Sequence, residues 1–351
     1  MFSEVTNMPG NWDKTEWGFR LCQVLEIRYP ILEGGLAHVG NGRLAAAISE
    51  AGGFGQVGSA GRSPEQFAEE ITVAASLTTK PFGVNIPISE RKDNRPYFDV
   101  IHQHRRAIAA VSLSAGNPRP LIPQFKEMGL RVIVLTSTVS QALKAAEGGA
   151  DVVVCEGFEA GGHNGPAEIT TMALVPQVVR ALRERGRDVP VAAAGGIASG
   201  EQMAAALMLG ADGVQIGTLF VATEECEAHP AYKRTLVEAG DEATVVIERS
   251  QGRVTRVLRS PFTERILDLE KRRPSMEELL PFIVGKSNRI AAIEGHMDEG
   301  YVNAGQGVGL IHSVRSAGEV VRDLAAEAAR VLRRGPTWAQ WLEGVDGVRS
   351  V

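Results

Sequence analysis

Eight short, almost uninterrupted apolar runs recur along the chain, at residues 30–33, 54–58, 82–86, 110–113, 131–135, 152–155, 189–194 and 213–216. A strand that faces water on one side alternates apolar and polar residues, whereas one covered on both faces does not. A run such as Val152-Val153-Val154-Cys155 therefore reads as a parallel strand with packing on both sides. Amphipathic pieces such as residues 43–50 lie between the runs. Ser63-Pro64-Glu65-Gln66 has the form of a helix start, with Ser63 as N-cap and Pro64 in the first turn. Ser199-Gly200-Glu201-Gln202 has the pattern of a capping box opening a helix that runs to Leu209. Strands and helices in this alternation predict an α/β fold, a (β/α)8 TIM barrel. The repeat length is irregular, so a doubly wound open sheet is the second choice.

The pattern changes after Ala222. We read residues 20–222 as the barrel. The charge-rich stretch 223–300 reads as an inserted helical lid domain near the C-terminus, packed over the barrel mouth. Residues 301–335 read as a return segment: an apolar, glycine-rich part at 302–310, then a long amphipathic helix at 316–334 against the barrel wall. Trp338 and Trp341 would pack on that helix or at a subunit contact.

Composition narrows the function. The formal net charge of −5 argues against a nucleic-acid partner, which selects for basic residues. Three cysteines, Cys22, Cys155 and Cys226, are far apart and odd in number. They make neither a disulfide framework nor a metal motif, so a reducing cytoplasm is expected. No apolar run approaches the ~18 residues that span a bilayer, and the N-terminus has no secretory pattern.

The loop after the sixth run, Glu156-Gly157-Phe158-Glu159-Ala160-Gly161-Gly162-His163-Asn164-Gly165, is the richest in chemistry. Glycines let backbone amides approach a ligand closely, and a histidine exchanges protons near neutral pH. The blander alternative is a turn in which His163 caps a helix. Its place at a strand's C-terminal end favours function, because barrel active sites lie at that rim. Gly195 and Gly196 follow the seventh run; Gln215, Gly217 and Thr218 end or follow the eighth. Together these loops sit where barrels bind phosphate. Asn85 ends the third run, where it would meet a ligand edge or satisfy its own turn. Gly53-Phe54-Gly55-Gln56-Val57-Gly58 fits a dinucleotide glycine pattern. It follows a helix and spans a strand, the reverse of the required order, so a Rossmann domain is rejected. A basic region, Arg91, Lys92, Arg95, His102, His104, Arg105 and Arg106, reads either as a solvated helix face or as a patch for an acidic partner. No metal-ligand spacing appears.

On these motifs the chain resembles the superfamily of FMN-dependent nitronate monooxygenases (2-nitropropane dioxygenases) and enoyl-acyl-carrier-protein reductases II. The likeness runs from about residue 25 to residue 324. It implies that Glu159-Ala160-Gly161-Gly162-His163 is the signature loop and His163 the catalytic residue. It implies FMN contacts at Gly34, Gly35, Asn85, Glu156, Ala160, Gly161, Gly162, Gly195, Gly196, Gln215, Gly217, Thr218 and, in Ala304-Gly305-Gln306, at Gln306. The front loop Tyr29-Pro30-Ile31-Leu32-Glu33-Gly34-Gly35-Leu36 looks more like the reductase branch. So do Gly116-Asn117-Pro118, Thr170-Thr171-Met172 and residues 228–233. Reductases usually carry glutamine, methionine and tryptophan at Glu33, Leu36 and His38, and monooxygenases often a glutamine at Glu156.

The resemblance first implies reduction of a conjugated double bond of an enoyl thioester, with NADH or NADPH as co-substrate and His163 as acid or base. The alternatives are nitronate oxidation with O2, quinone reduction, or a non-catalytic flavin- or phosphosugar-binding barrel. An acyl-thioester substrate, an acyl carrier protein on the basic region and a homodimer are the expected partners.

Overall fold

The computed structural model describes residues 18–88 and 93–343. Its strands in chain order are β1 (Ile31–Glu33), β2 (Gly55–Gly58), β3 (Phe82–Pro87), β4 (Ala110–Ser114), β5 (Arg131–Thr136) and β6 (Val152–Glu156). They continue with β7 (Gly162–His163), β8 (Val191–Ala194), β9 (Gly213–Ile216), β10 (Thr244–Ile247) and β11 (Thr255–Leu258). Eight form one parallel sheet in the order β1-β9-β8-β6-β5-β4-β3-β2. A parallel bridge between Leu32 and Phe54 joins its ends. There the Glu33 N–H donates to the Phe54 carbonyl and the Phe54 N–H to the Ile31 carbonyl, each at 2.9 Å. The fold is the (β/α)8 barrel expected, and each of the eight predicted runs supplies one barrel strand.

Two apolar cores explain why those runs do not alternate. Leu32, Phe54, Ala110, Ile133, Val152, Val154, Ala192 and Ala194 pack into an inner cluster. Their neighbours Val132, Val134, Val153, Cys155, Val191 and Ala193 pack outward with the helices. Successive residues thus enter different cores, and both must be apolar. The helix Arg20–Leu25 adds Leu21, Cys22 and Leu25 to the inner cluster. Its Arg20 guanidinium binds Asp212 (Nε to Oδ1, 2.9 Å) and Asp188, on the loops preceding β9 and β8, and so stoppers the N-terminal end.

The predicted helix starts are present, with one difference. Ser63 caps the helix Pro64–Leu77 with a complete capping box. Ser199 caps the helix Gly200–Met208 by accepting the Gln202 N–H, but the box does not close. Gln202 is turned back: Oε1 accepts the Ala198 N–H (2.7 Å) and Nε2 donates to the Gly196 carbonyl (2.8 Å). Its side chain braces the loop after β8 rather than its own helix.

Residues 223–300 carry strands as well as the helical fragments expected of them. β10 and β11 form an antiparallel pair, and β11 pairs in turn with β7, His163 opposite Thr255. Val245, Ile247, Val257, Phe262, Ile266, Leu279 and Tyr301 make a separate small core. The helix Ala317–Leu332, with a Ser316–Glu319 capping box, then packs between the helices Gly200–Met208 and Gly42–Glu50 and fills the last place in the ring. Trp338 is exposed under the Arg334 guanidinium, 5.0 Å from the ring centroid. Arg91 and Lys92 lie outside the described residues, as does the side chain of Trp341. Arg95 pairs with Asp93. Cys22, Cys155 and Cys226 are buried free thiols. Among the described residues no helix is long and apolar enough to cross a membrane.

Helix Gly42–Glu50 lies directly on β2: a Cβ at Gly55 would sit 1.9 Å from the Ala45 carbonyl oxygen. Gly55→Ala is expected to lower stability by about 1–3 kcal/mol, the scale of overpacking. Gly240→Ala, where nothing stands within 4 Å, is the matched control. Urea unfolding checks this: the midpoint falls for the first variant and stays for the second.

Candidate active site

The C-terminal ends of the barrel strands open into a cavity of about 870 Å³, within the range of small-molecule sites. His163 and every residue expected to contact the flavin line it except Gln306. Gln306 opens a short 3-10 turn with its side chain exposed. Its backbone N–H donates to the Glu159 carbonyl (2.8 Å), while its neighbours Gly305 and Gly307 face the cavity. The loop is therefore where it was expected, but it presents glycine backbone instead of the amide side chain.

The signature loop is fixed by its glutamate. Glu159 Oε2 accepts both the N–H and the hydroxyl of Thr171, at 2.8 and 3.0 Å. Thr171 Oγ1 also lies 3.0 Å from the Ala194 carbonyl and 2.9 Å from that of Gly195. One threonine thus ties the loop after β6 to the loop after β8. Glycine is required at two of these positions. Gly195 and Gly196 have φ of +102° and +74°, and a Cβ on either would strike Gly157 O (2.5 Å) or Glu159 Cβ (2.8 Å). A Cβ at Gly161 would lie 2.7 Å from the Ala304 carbonyl carbon, so the return segment packs closely on the loop.

Across the mouth, Asn85 is buried against Gly35, where a Cβ would lie 2.3 Å from Asn85 Oδ1. Its Nδ2 reaches Ser112 O and Oγ at 3.3 and 3.4 Å. Thr218 Oγ1 accepts the Gly305 N–H at 2.9 Å. Among the described residues Gln215 Oε1, Asn164 Oδ1 and Asn303 Oδ1 are buried acceptors without a partner, and all three residues line the cavity. Acceptors so placed in a cavity wall are available to a ligand or to water.

His163 carries the exposed imidazole of the cavity rim, with 71% of its side chain accessible. Glu248 lies beside it, a residue the sequence reading missed. Its carboxylate is buried, with Oε2 3.7 Å from His163 Nε2. Only the pairing of β7 with β11 brings the two together, and no local motif announces it. Tyr232, Asn288 and Asn303 also line the cavity from beyond residue 222 and were not foreseen. Of the departures noted in the sequence, Leu36 lines the cavity whereas Glu33 and His38 do not. Glu33 is fully buried, and burial first of all holds its carboxyl well above the usual range. Burial also lowers the pKa of His38, whose backbone is left-handed (φ 66°).

These features define a barrel enzyme with one large site at the strand ends. The sequence profile of the nitronate monooxygenase family matches residues 19–108 and 97–327. The (3aS,4S,5R,7aS)-5-hydroxy-7a-methyl-1-oxo-octahydro-1H-indene-4-carboxyl-CoA dehydrogenase of Mycobacterium tuberculosis is 36% identical over 247 residues, 70% of this chain and 67% of that protein. A probable nitronate monooxygenase of Staphylococcus saprophyticus is 27% identical over 90% of this chain and 99% of its own length. Among solved structures, FabK from Thermotoga maritima superposes with a TM-score of 0.84 at 38% identity, covering 91% of this chain and 99% of that one. Nitroalkane oxidase from Streptomyces ansochromogenes gives 0.77 at 28% identity, over 90% of this chain and 99% of the other. The chain belongs to the nitronate monooxygenase family and is an oxidoreductase.

Burial raises the pKa of the cavity carboxyl Glu156 from 4.5 to about 8. Among the described residues no hydrogen bond or ion pair reaches it. The native chain keeps a proton that the unfolded chain has released, so stability falls as pH rises from about 4.5 to about 8 and is level above that window. Glu156→Gln should remove this share of the slope, matching the parent near pH 4.5 and exceeding it near pH 8. Urea midpoints across that range measure it; an unchanged slope would mean that Glu156 is ionised in the fold.

Proposed function

We propose that the chain is an FMN-dependent oxidoreductase that uses NADH or NADPH to reduce the conjugated double bond of an enoyl thioester, with His163 as its acid. The observation that carries this reading is the convergence on one cavity of His163, the glycine loops after β6, β8 and β9, and Asn85. The cavity fits a planar, polar-edged nucleotide. Gln215 Oε1 is a buried acceptor awaiting a donor. A Cβ at Gly217 would meet only Leu36 Cδ2, at 3.5 Å, so this backbone lies open to the cavity. Gly34, Gly35, Asn85, Glu156, Ala160, Gly161 and Gly162 would hold the ring system. Gly195, Gly196, Gln215, Gly217 and Thr218 would hold the ribityl chain and phosphate, after the seventh and eighth barrel strands. FMN bound there supplies hydride transfer between a nicotinamide and a carbon centre.

The protein's own share is positioning and proton handling. His163 delivers the proton to the carbon next to the thioester carbonyl. Backbone N–H groups of the Gly161–Gly162 loop offer donors to the oxygen on which charge develops. The segment after residue 222 covers the mouth through Tyr232, Asn288 and Asn303 and limits water. The similarity to FabK, an enoyl-ACP reductase II, and to the indene-carboxyl-CoA dehydrogenase supports a thioester substrate. The family's name and its nitronate monooxygenase relatives support a second reading, oxidation of an alkyl nitronate with O2 in the same cavity. A carrier protein on the helix Arg95–His104 and a homodimer belong to the first reading.

Purified protein should be yellow, and anaerobic NADH or NADPH should bleach its flavin bands within the turnover time. Bleaching by a nitronate alone would replace the first reading with the second. His163→Ala should keep the flavin and lose about 10²–10⁴-fold in kcat, the scale of a missing general acid. Unchanged turnover in that variant would leave a barrel whose histidine is structural.

A further inference from the structure

Glu248 has features that its fold does not require. It sits between β10 and the 3-10 turn Arg249–Gln251 with left-handed backbone, φ 69°, a conformation that costs energy for a residue with a side chain. The Glu270 carboxylate holds it there by accepting the Glu248 N–H (3.0 Å) and the Ser250 N–H (2.8 Å). The Glu248 side chain is 4% exposed. Its Oε2 accepts the Thr255 hydroxyl and its Oε1 lies 3.4 Å from Arg253 Nη1. The Tyr301 phenol is close enough for its pKa to be raised by this carboxylate, after burial. What remains on that face of Glu248 is the imidazole of His163, with Nε2 3.7 Å from Oε2.

The separation is longer than a hydrogen bond and short enough for the carboxylate to attract an N–H on that nitrogen. The backbone sets it: β7 and β11 pair with His163 opposite Thr255, the residue whose hydroxyl holds the same carboxylate oxygen. An imidazole at the rim of an open cavity can otherwise take several orientations, and a general acid works only in one. Among the described residues no hydrogen bond reaches His163 Nδ1.

We propose that Glu248 is the positioning residue of the active site: its carboxylate orients His163 with the N–H on Nε2 and leaves Nδ1 as the nitrogen that exchanges a proton with substrate. This rests on the role given to His163 above. The segment that follows the barrel then supplies part of the catalytic apparatus as well as a cover. A carboxylate behind an imidazole fixes both ring orientation and tautomer, as in the serine protease triad.

Two measurements test this on the flavin-loaded protein. The first is a double-mutant cycle with His163→Ala, Glu248→Gln and the pair. Glu248→Gln keeps the side chain's shape, so flavin content and melting temperature should hold. Its kcat should fall about 10–100-fold, the scale of a catalytic group displaced from its working orientation. KM for the nicotinamide should stay within about twofold. Glu248→Asp should recover part of the loss. In the His163→Ala background the same change should cost nothing further, because the two act as a unit. Wild-type kcat in Glu248→Gln, or an equal loss with and without His163, overturns the proposal. Should His163→Ala itself leave turnover untouched, the reading of the site falls first, which separates the two failures. The second needs no altered Glu248. Nitrogen-15 NMR of the histidines, with the His163 signal assigned by its absence in His163→Ala, should show the Nε2–H tautomer at neutral pH. The Nδ1–H tautomer would refute the proposal even if Glu248→Gln did not fold.

Discussion

Parallel strands buried on both faces impose the constraint from which the rest of this structure follows. Strands β1, β4, β5, β6 and β8 each place one residue in the inner cluster and the next among the helices. Small residues such as Ala110, Ala192 and Ala194 alternate inside with Phe54 and Ile133 and fill the cylinder without a pore. Once that packing is satisfied, every strand runs in the same direction and all eight C-terminal ends meet at one rim. Helix Arg20–Leu25 and its Arg20 links seal the other end. Chemistry is thereby confined to the rim.

The rim loops are held as tightly as the strands beneath them. Thr171 and Glu159 join the loops after β6 and β8, Gln202 braces the second of these, and the Gly161 backbone rests against Ala304. Such bonds cost nothing at the moment of reaction, because the polar groups are already placed. The glycines here answer to contact distance. At Gly195 and Gly196 left-handed backbone and close neighbours leave no room for a side chain.

How far the sequence could be read follows from the range of each interaction. The eight strands were legible because burial on two faces is written within four to six consecutive residues. The Ser63 start was legible because its box closes within four residues. The Ser199 box was half legible: the serine caps, but tertiary demand on the Gly196 carbonyl draws Gln202 away. The cavity wall was legible for the same local reason, since each lining loop directly follows an apolar run. Gln306 shows where this fails, because proximity of a loop to a cavity does not say which of its atoms faces inward. Strands β7, β10 and β11 were missed, being two to four residues long with a pairing that joins distant parts of the chain. Glu248 was missed with them. It follows the apolar run 245–247 in no recognisable motif, and its meaning arises only when β11 lies beside β7.

That pairing also suggests why one barrel can serve different reactions. The strand-end glycines, Asn85, Gln215 and Thr218 all belong to the barrel, and on the proposed reading they face the cofactor. Tyr232, Asn288 and Asn303, which face the same cavity from the other side, belong to the chain after residue 222. Part of that chain has its own apolar core around Val257, Phe262 and Tyr301, so its surface can vary without disturbing the barrel's two clusters. A reductase and a monooxygenase need the same flavin cradle but different substrates above it. The joint between the two halves is the short sheet of β10, β11 and β7, which carries His163 on one strand and positions Glu248 from the other side. On the proposed reading, changing the segment after residue 222 can then change substrate while His163 stays in register with the barrel loops, because β7, which carries it, is paired with β11.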